Sequence, residues 1–155
     1  LDVDNNDAIA SIAEYVPSNN RSQLTKTERN SLIVDAYNAN PTSMRAAIEN
    51  FATLNMPGKV LMLGDMLELG TDSVQEHKGI LKLAAECSFE QIYLVGKEFA
   101  TACAQLQSEL PGFGATLFED SLQLQQHLKE KPLSGCSILI KGSRGKRLER
   151  VIEAL

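Results

Sequence analysis

Residues 31–44, which read SLIVDAYNANPTSM, decide the fold because an apolar run passes there into a polar turn and then into a helical pattern. The run at 32–34 is apolar at every position, as in a strand that is covered on both faces. Beyond the turn, apolar residues recur at helical spacing. We therefore predict a strand that ends at Asp35 and a helix whose cap is Thr42 or Ser43.

The alternation of strand and helix continues along the chain. Further apolar runs lie at 60–63, 92–95, 116–118 and 137–140, and residues 23–27 and 31–35 suggest a hairpin. Later helices are predicted to start near residues 72, 97 and 121, and a last helix is predicted over 146–155. The first three helices carry apolar stripes made of Met44, Ala47, Ile48, Phe51 and Leu54; of Val74, His77, Leu81 and Ala84; and of Phe99, Ala100, Cys103, Leu106 and Leu110. Repeated strand–helix units require a parallel sheet with right-handed crossovers. We expect a three-layer, Rossmann-like α/β domain, with a mostly parallel sheet of about six strands, an antiparallel hairpin strand and helices on both faces.

The first twenty residues have a different pattern. A short helix is predicted over 6–15, and residues 16–21 have the Pro, Ser and Asn content of a linker. The chain does not begin with Met, so we expect it to be a piece of a longer protein.

Length and composition limit the class of protein. The chain has 155 residues, 43% of them hydrophobic and 23% charged, as in a globular domain and unlike a disordered or fibrous protein. The net charge of −5 does not suit a protein that coats nucleic acid. No apolar run approaches the roughly 18 residues that a membrane-spanning helix needs. We expect neither nucleic acid nor membrane as a partner.

The three cysteines are Cys87, Cys103 and Cys136, an odd number without CxxC spacing. Neither a disulfide framework nor a zinc site is expected from that pattern. Each cysteine lies in or beside an apolar stretch, which indicates small core residues in a reducing cytosol.

Polar residues and glycines follow four of the predicted strands, where an open parallel sheet binds its ligands. These segments are 35–40, 64–70, 96–97 and 141–146. Asp35 could accept the hydroxyls of a ribose, as acidic residues do in dinucleotide-binding folds. It could equally form an Asx turn that leads into the next helix.

Residues 141–146, which read KGSRGK, are the sharper candidate. A glycine, the amides at the start of the next helix, and two flanking cations suit a phosphate or a carboxylate. A solvated helix face is the alternative interpretation. The chain has no GxxxxGK[ST] loop, so ATP phosphates would have to be bound elsewhere.

Asp65 and Glu68 could steer a substrate amine or a magnesium ion, or could cap the helix near Ser73. His77 lies on an apolar stripe, where a packed histidine is expected and not a catalytic base. His127 lies in a polar helix and is interpreted as a surface residue.

The motifs are more specific together than singly. NNRSQ at 19–23, DAYNANPTSM at 35–44, GDMLELG at 64–70 and KGSR at 141–144 occur in this order. The combination resembles the C-terminal domain of the Mur ligases, and within that family the type that adds D-alanyl-D-alanine. The resemblance covers the chain from about residue 21 to 155. Residues 1–20 look like the tail of the preceding central ATPase domain and a linker.

The resemblance implies a three-domain cytoplasmic ligase of peptidoglycan precursor synthesis. In such enzymes the first domain holds the UDP-sugar peptide, the central domain binds the ATP phosphates and Mg²⁺, and the last domain closes over ATP. An acyl phosphate forms on UDP-N-acetylmuramoyl-tripeptide, D-alanyl-D-alanine attacks it, and phosphate leaves. The present piece is expected to be a monomer, inactive alone, without a catalytic residue or metal site of its own.

The resemblance also implies roles for single residues. ATP-binding roles fall on Arg21, Asp35, Tyr37 and Asn38, and substrate-binding roles on Asn40, Asp65, Glu68, Lys141, Ser143 and Arg144.

Two alternatives stay open. The C-terminal domain of folylpolyglutamate synthase has the same fold with a different amine substrate, although the YNANP string argues against it. Asp35, Asp65 and Lys141 would also suit the phospho-acceptor pocket of a receiver domain, a signalling module. Ala36, however, stands where a receiver carries a second acidic residue.

Overall fold

The computed structural model describes residues 23–35, 39–142 and 148–155. The strands in these ranges are β1 (Gln23–Lys26), β2 (Ser31–Asp35), β3 (Lys59–Gly64), β4 (Gln91–Val95), β5 (Thr116–Phe118) and β6 (Ser137–Lys141). The α-helices are α1 (Pro41–Thr53), α2 (Ser73–Cys87), α3 (Lys97–Leu106) and α4 (Ser121–Glu130), and 3-10 helices span Gly70–Asp72 and Leu148–Ala154. The helix and linker predicted over 6–21 lie outside the described residues.

The strands form one sheet in the order β1-β2-β6-β3-β4-β5. β1 pairs antiparallel with β2, and every other pair is parallel. The prediction of a mostly parallel sheet with one antiparallel hairpin strand is therefore confirmed. β6, the last strand along the chain, lies between β2 and β3.

Two apolar cores cover the two faces of the sheet. Side chains of α1, α2 and α3 pack with Ile33, Leu61 and Leu139 on one face. Side chains of α4 and the second 3-10 helix pack with Leu32 and Ile138 on the other. Neighbouring strand residues point to opposite faces, which explains why the strands read as unbroken apolar runs. The three-layer prediction is confirmed.

Several predicted helix boundaries needed correction. Asn40 caps α1, instead of Thr42 or Ser43, and the helix ends one residue before Leu54. α3 ends at Leu106, so Leu110 lies beyond it. Of the helix predicted over 146–155, the described part Leu148–Ala154 is a 3-10 helix.

Asn30 fastens the β1–β2 turn to the end of the chain. Its side-chain amide donates to the carbonyl oxygens of Leu133 and Leu155 at 3.0 and 2.9 Å, and its Oδ1 accepts from the Cys136 N–H at 3.0 Å. Asn30 is buried, and these bonds use all but one of the hydrogen bonds that its side chain can make. The hairpin edge is thereby fixed relative to the second core.

The cysteines and His127 are partly as predicted. Cys103 is buried in the first core, and burial raises the pKa of its thiol. Cys87 and Cys136 are half-buried against the two cores. His127 is half-buried and not simply a surface residue, because it packs against Phe118 at 5.2 Å between ring centres. None of the helices within the described ranges is long and apolar enough to cross a membrane.

Candidate functional site

The carboxyl ends of β2, β6 and β3 lie side by side at one edge of the sheet, since these strands are adjacent and parallel. The chain leaves β2 and β3 for helices on one face, and the 3-10 helix that follows β6 packs on the other face. A sheet edge where the chain diverges in this way is the usual ligand site of an open α/β fold. Asp35, Asp65 and Lys141 all lie at this edge, as predicted.

Asp35 and Lys141 form a buried ion pair at the centre of the edge. They are register partners at the ends of β2 and β6. Lys141 Nζ donates to Asp35 Oδ2 at 2.7 Å, and the side chains are only 1% and 7% exposed for Lys141 and Asp35. The prediction of Lys141 as a cation on a turn is wrong, because the residue ends β6 and its charge is compensated inside the protein.

Gly142, directly after β6, lies against Gly64 at the end of β3. A Cβ on Gly142 would lie 2.9 Å from the Gly64 Cα and 2.8 Å from Leu148 Cδ1. A larger residue there would push these two backbone segments apart, so glycine is required for their close approach. The loop that begins at Asp65 therefore starts beside the end of β6.

Asp65 caps α3, and not the helix near Ser73 that the sequence suggested. Its Oδ2 and Oδ1 accept from the backbone N–H groups of Glu98 and Phe99, both at 3.0 Å. The carboxylate thus satisfies amides that would otherwise lack partners at the helix start. Asp65 is 1% exposed, and its carboxylate contacts the start of α3. Its substrate-binding role stays a prediction.

Gly96 makes room for the Asp65 carboxylate. Its φ of 117° is open to glycine and strained for other residues. A Cβ at this position would overlap the carboxyl group of Asp65. The sequence marked residues 96–97 as a glycine-bearing strand end but did not reveal this contact.

His77 is fully buried, in agreement with the prediction of a packed histidine. Its Nε2 accepts from the Met66 N–H at 3.0 Å, and its Nδ1 lies 2.7 Å from the Ser73 carbonyl oxygen. A carbonyl can only accept and an amide can only donate, so the ring is the neutral tautomer with its proton on Nδ1. The imidazole also meets the Phe99 ring edge-on at 4.6 Å.

The middle of the same loop faces outward. Leu67 is 41% exposed and Glu68 is exposed with a φ of 65°. Left-handed backbone is uncommon in residues other than glycine and marks a position for a functional hypothesis. Glu68 is therefore an exposed carboxylate on the loop that follows β3, and its substrate-binding role stays a prediction.

Asn40 has a defined local role at this edge. Its Oδ1 accepts from the Ser43 N–H at 2.8 Å, while the Ser43 hydroxyl accepts from the Asn40 N–H at 3.1 Å. This reciprocal capping box starts α1. The other predicted site residues, Arg21, Tyr37, Asn38, Ser143 and Arg144, lie outside the described residues.

Two side chains that connect this region were missed by the sequence reasoning. The Ser73 hydroxyl donates to Glu98 Oε1 at 2.5 Å and so joins α2 to α3. Ser73 was noted only as a helix start, and Glu98 carries no motif at all. Their hydrogen bond, which joins two helices, could be recognised only from the structure.

Residues 20–144 match the family model described as Mur ligase, glutamate ligase domain. The chain belongs to the Mur ligase family. This membership argues against the receiver-like alternative. It also confirms the resemblance that the motifs carried.

Eight similar curated proteins share one name, UDP-N-acetylmuramoyl-tripeptide–D-alanyl-D-alanine ligase. The protein of Bacillus subtilis (strain 168) is 36% identical over 137 residues, which is 87% of this chain and 30% of the relative. The protein of Escherichia coli (strain K12) is 36% identical over 133 residues, 83% of this chain and 27% of the relative. The chain thus spans less than a third of the length of these Mur ligases.

Solved Mur ligase structures have the same fold. A crystal structure of MurF from Acinetobacter baumannii superposes with a TM-score of 0.71 and 30% identity, covering 88% of this chain and 30% of that one. A MurF ligase from Thermotoga maritima in complex with ADP gives a TM-score of 0.67 at 24% identity, over 94% of this chain and 32% of that one, and it supports the fold alone.

Proposed function

We propose that this chain is the C-terminal domain of a ligase that joins D-alanyl-D-alanine to UDP-N-acetylmuramoyl-tripeptide at the expense of ATP. Residues 1–20 would be the tail of the central ATPase domain and a linker, and 21–155 the C-terminal domain. The names of the curated relatives support this proposal. They also favour it over folylpolyglutamate synthase, which uses a different amine. The reaction would take place in the cytoplasm as a step of peptidoglycan precursor synthesis, by a monomeric enzyme.

The observation that carries the proposal is the Asp35–Lys141 pair at the switch point of the sheet. A carboxylate at a strand end suits the hydroxyls of the ATP ribose. A buried carboxylate is costly unless it is paired, and Lys141 supplies such a partner at 2.7 Å. We therefore assign Asp35 to ATP, and we assign Lys141 to Asp35 and not directly to the dipeptide.

The remaining ATP contacts would come from residues on either side of Asp35. Arg21 would reach an ATP phosphate from the linker, and Tyr37 and Asn38 would follow Asp35 along the same loop. Among the described residues, no group of three or more His, Cys, Asp and Glu side chains could hold a metal ion. We assign Mg²⁺ and most phosphate contacts to the central domain.

The dipeptide would lie between the loops that follow β3 and β6. Glu68 offers a carboxylate for the ammonium group of the incoming dipeptide, which must lose a proton before it attacks. Ser143 and Arg144 would hold the dipeptide carboxylate by charge-assisted hydrogen bonds. Asn40 and Asp65 border this space, Asp65 through its hold on α3.

The chemistry proposed for this domain is positioning. ATP would transfer its γ-phosphoryl group to the carboxylate of the tripeptide, and ADP would leave. The neutral dipeptide amine would then attack the acyl carbon, inorganic phosphate would leave with the electrons of the broken C–O bond, and the new amide nitrogen would lose a proton. Holding the amine and the acyl phosphate together converts a bimolecular step into one that is effectively unimolecular.

The product of the complete enzyme tests the proposal. The full-length protein is incubated with UDP-N-acetylmuramoyl-tripeptide, ATP, Mg²⁺ and either D-alanyl-D-alanine or L-glutamate, and products are identified by mass spectrometry. We expect addition of the dipeptide, with one ADP and one phosphate released per product. Incorporation of glutamate, or ATP-independent addition, would contradict the proposed function.

A further inference from the structure

We infer that His77 is a positioning residue of the amine site: it holds the loop of residues 66–70 so that Glu68 faces the incoming amine. The inference rests on the proposed function, because that function makes Glu68 a substrate contact. His77 itself is fully buried and therefore acts through the loop.

The imidazole fixes the loop at its first residue. Nε2 accepts from the Met66 N–H at 3.0 Å, directly after the Asp65 cap of α3. Nδ1–H donates to the Ser73 carbonyl at 2.7 Å, in the first turn of α2. One ring thus joins the beginning of the loop to the helix that follows it.

A second connection secures the other end of the loop. The Ser73 hydroxyl donates to Glu98 Oε1 at 2.5 Å, and the Glu98 N–H donates to Asp65 Oδ2 at 3.0 Å. The bonds run from Asp65 through α3 to Ser73, and from Ser73 through His77 back to Met66. The loop is therefore held at both ends by one closed set of buried or half-buried polar contacts.

This closed set explains how the exposed part of the loop keeps an unfavourable conformation. Glu68 has a φ of 65° and Gly70 a φ of 66°. Such backbone persists in a non-glycine residue only where the surroundings determine it. Since both ends are fixed from inside, the side chain of Glu68 can remain exposed on the outer surface of the loop.

The loop of residues 66–70 also lies close to the proposed nucleotide position, where the amine of the dipeptide would have to bind. Gly64 lies two residues before it and approaches Gly142, the residue that follows Lys141 of the buried ion pair. A nucleotide at that pair and an amine at Glu68 would therefore occupy neighbouring parts of the same edge. Displacement of the loop should weaken use of the amine and leave use of ATP intact.

The kinetic experiment compares three variants of the full-length enzyme. His77→Leu removes both ring contacts, His77→Gln keeps an acceptor and a donor, and Leu81→Ala removes a buried side chain elsewhere on α2. We expect His77→Leu to raise the apparent KM for D-alanyl-D-alanine roughly ten- to a hundredfold, as for a small misplacement of a binding group. The KM for ATP should not change. His77→Gln should recover most of the loss, and Leu81→Ala should leave both KM values unchanged.

A spectroscopic measurement on the 155-residue chain does not depend on activity. Nitrogen-15 NMR of the histidine rings should show His77 neutral, with the proton on Nδ1 and an unprotonated Nε2. A proton on Nε2 would overturn the inference.

The outcomes separate this inference from the proposed function. If the wild-type enzyme adds D-alanyl-D-alanine but His77→Leu raises both KM values equally, or changes neither, the positioning role is wrong and the function stands. If the wild-type enzyme does not use D-alanyl-D-alanine, the proposed function fails, and the role of His77 at the amine site fails with it.

Discussion

At the scale of single residues, the Asp35–Lys141 pair makes a prediction about stability. Replacing one partner of a buried ion pair removes a close charge–charge contact from the protein interior. Lys141→Met should therefore lower the free energy of unfolding by about 3–5 kcal/mol. The combined variant Asp35→Asn, Lys141→Met should recover most of that loss, because both charges of the pair are then removed together. Urea unfolding of the wild type, Asp35→Asn, Lys141→Met and the double variant measures the coupling, and a loss below about 1 kcal/mol for Lys141→Met would show that the pair is solvated.

Gly96 gives a second prediction at this scale. Gly96→Ala would place a Cβ against the Asp65 carboxylate and force a side chain into a φ of 117°. We expect a loss of more than about 2 kcal/mol in the free energy of unfolding. Gly112→Ala is the matched control, since a Cβ there meets no atom within 4 Å, and its effect should stay within about 0.5 kcal/mol. Equal effects of the two substitutions would refute the proposed crowding.

At the scale of elements, the cap of α1 can be tested without touching the core. Asn40→Ala removes the acceptor for the Ser43 N–H and should cost about 1 kcal/mol. Asn50→Ala, an exposed position inside the same helix, should be neutral or slightly stabilising because alanine favours helix. Thermal unfolding distinguishes the two, and an unchanged Tm for Asn40→Ala would mean that the cap contributes nothing.

The contact between α2 and the turn that follows α3 gives a pH-dependent prediction. Hydrogen bonds from Lys78 and Lys82 lower the pKa of Glu109 to about 2 from 4.5. Because the folded-state pKa is depressed, the stabilisation is complete above pH 4.5 and is lost as the pH falls toward 2. Glu109→Gln should flatten the dependence of stability on pH in that window, and high salt should weaken the wild-type dependence because Glu109 is exposed. An identical pH slope in the variant and the wild type would contradict this assignment.

At the scale of the whole molecule, the fold was largely predictable because the local signals agree. Strands β2, β3, β4 and β6 are mostly apolar runs, and the helices follow polar or glycine-bearing turns, so the order of the elements along the chain could be predicted. The insertion of β6 between β2 and β3 could not, since it depends on pairing between residues far apart in sequence. Asp35 and Lys141 are 106 positions apart, and only that pairing makes them partners.

The site was predictable to a lesser degree. The rule that ligands bind at the carboxyl ends of parallel strands pointed to Asp35 at the end of β2 and to Asp65 and Glu68 after β3, and their contacts with ligands stay predictions. The direction of the Asp65 side chain did not follow, because it depends on the space that Gly96 leaves at the start of α3. The choice of Asn40 as cap was equally hidden, since asparagine, threonine and serine are all good caps.

The most direct test of the central claim is steady-state kinetics of the full-length enzyme with ATP and D-alanyl-D-alanine varied in turn, for Asp35→Asn and Glu68→Gln. The charge-assisted contacts assigned here are worth about 1.5–3 kcal/mol each, or roughly ten- to a hundredfold in apparent KM. Partial unfolding would lower kcat without separating the two KM values, so a separation reports on binding. The account predicts a raised KM for ATP alone in Asp35→Asn and a raised KM for the dipeptide alone in Glu68→Gln. The reverse pattern, or a joint rise in both variants, would contradict the division of the sheet edge into a nucleotide side and an amine side.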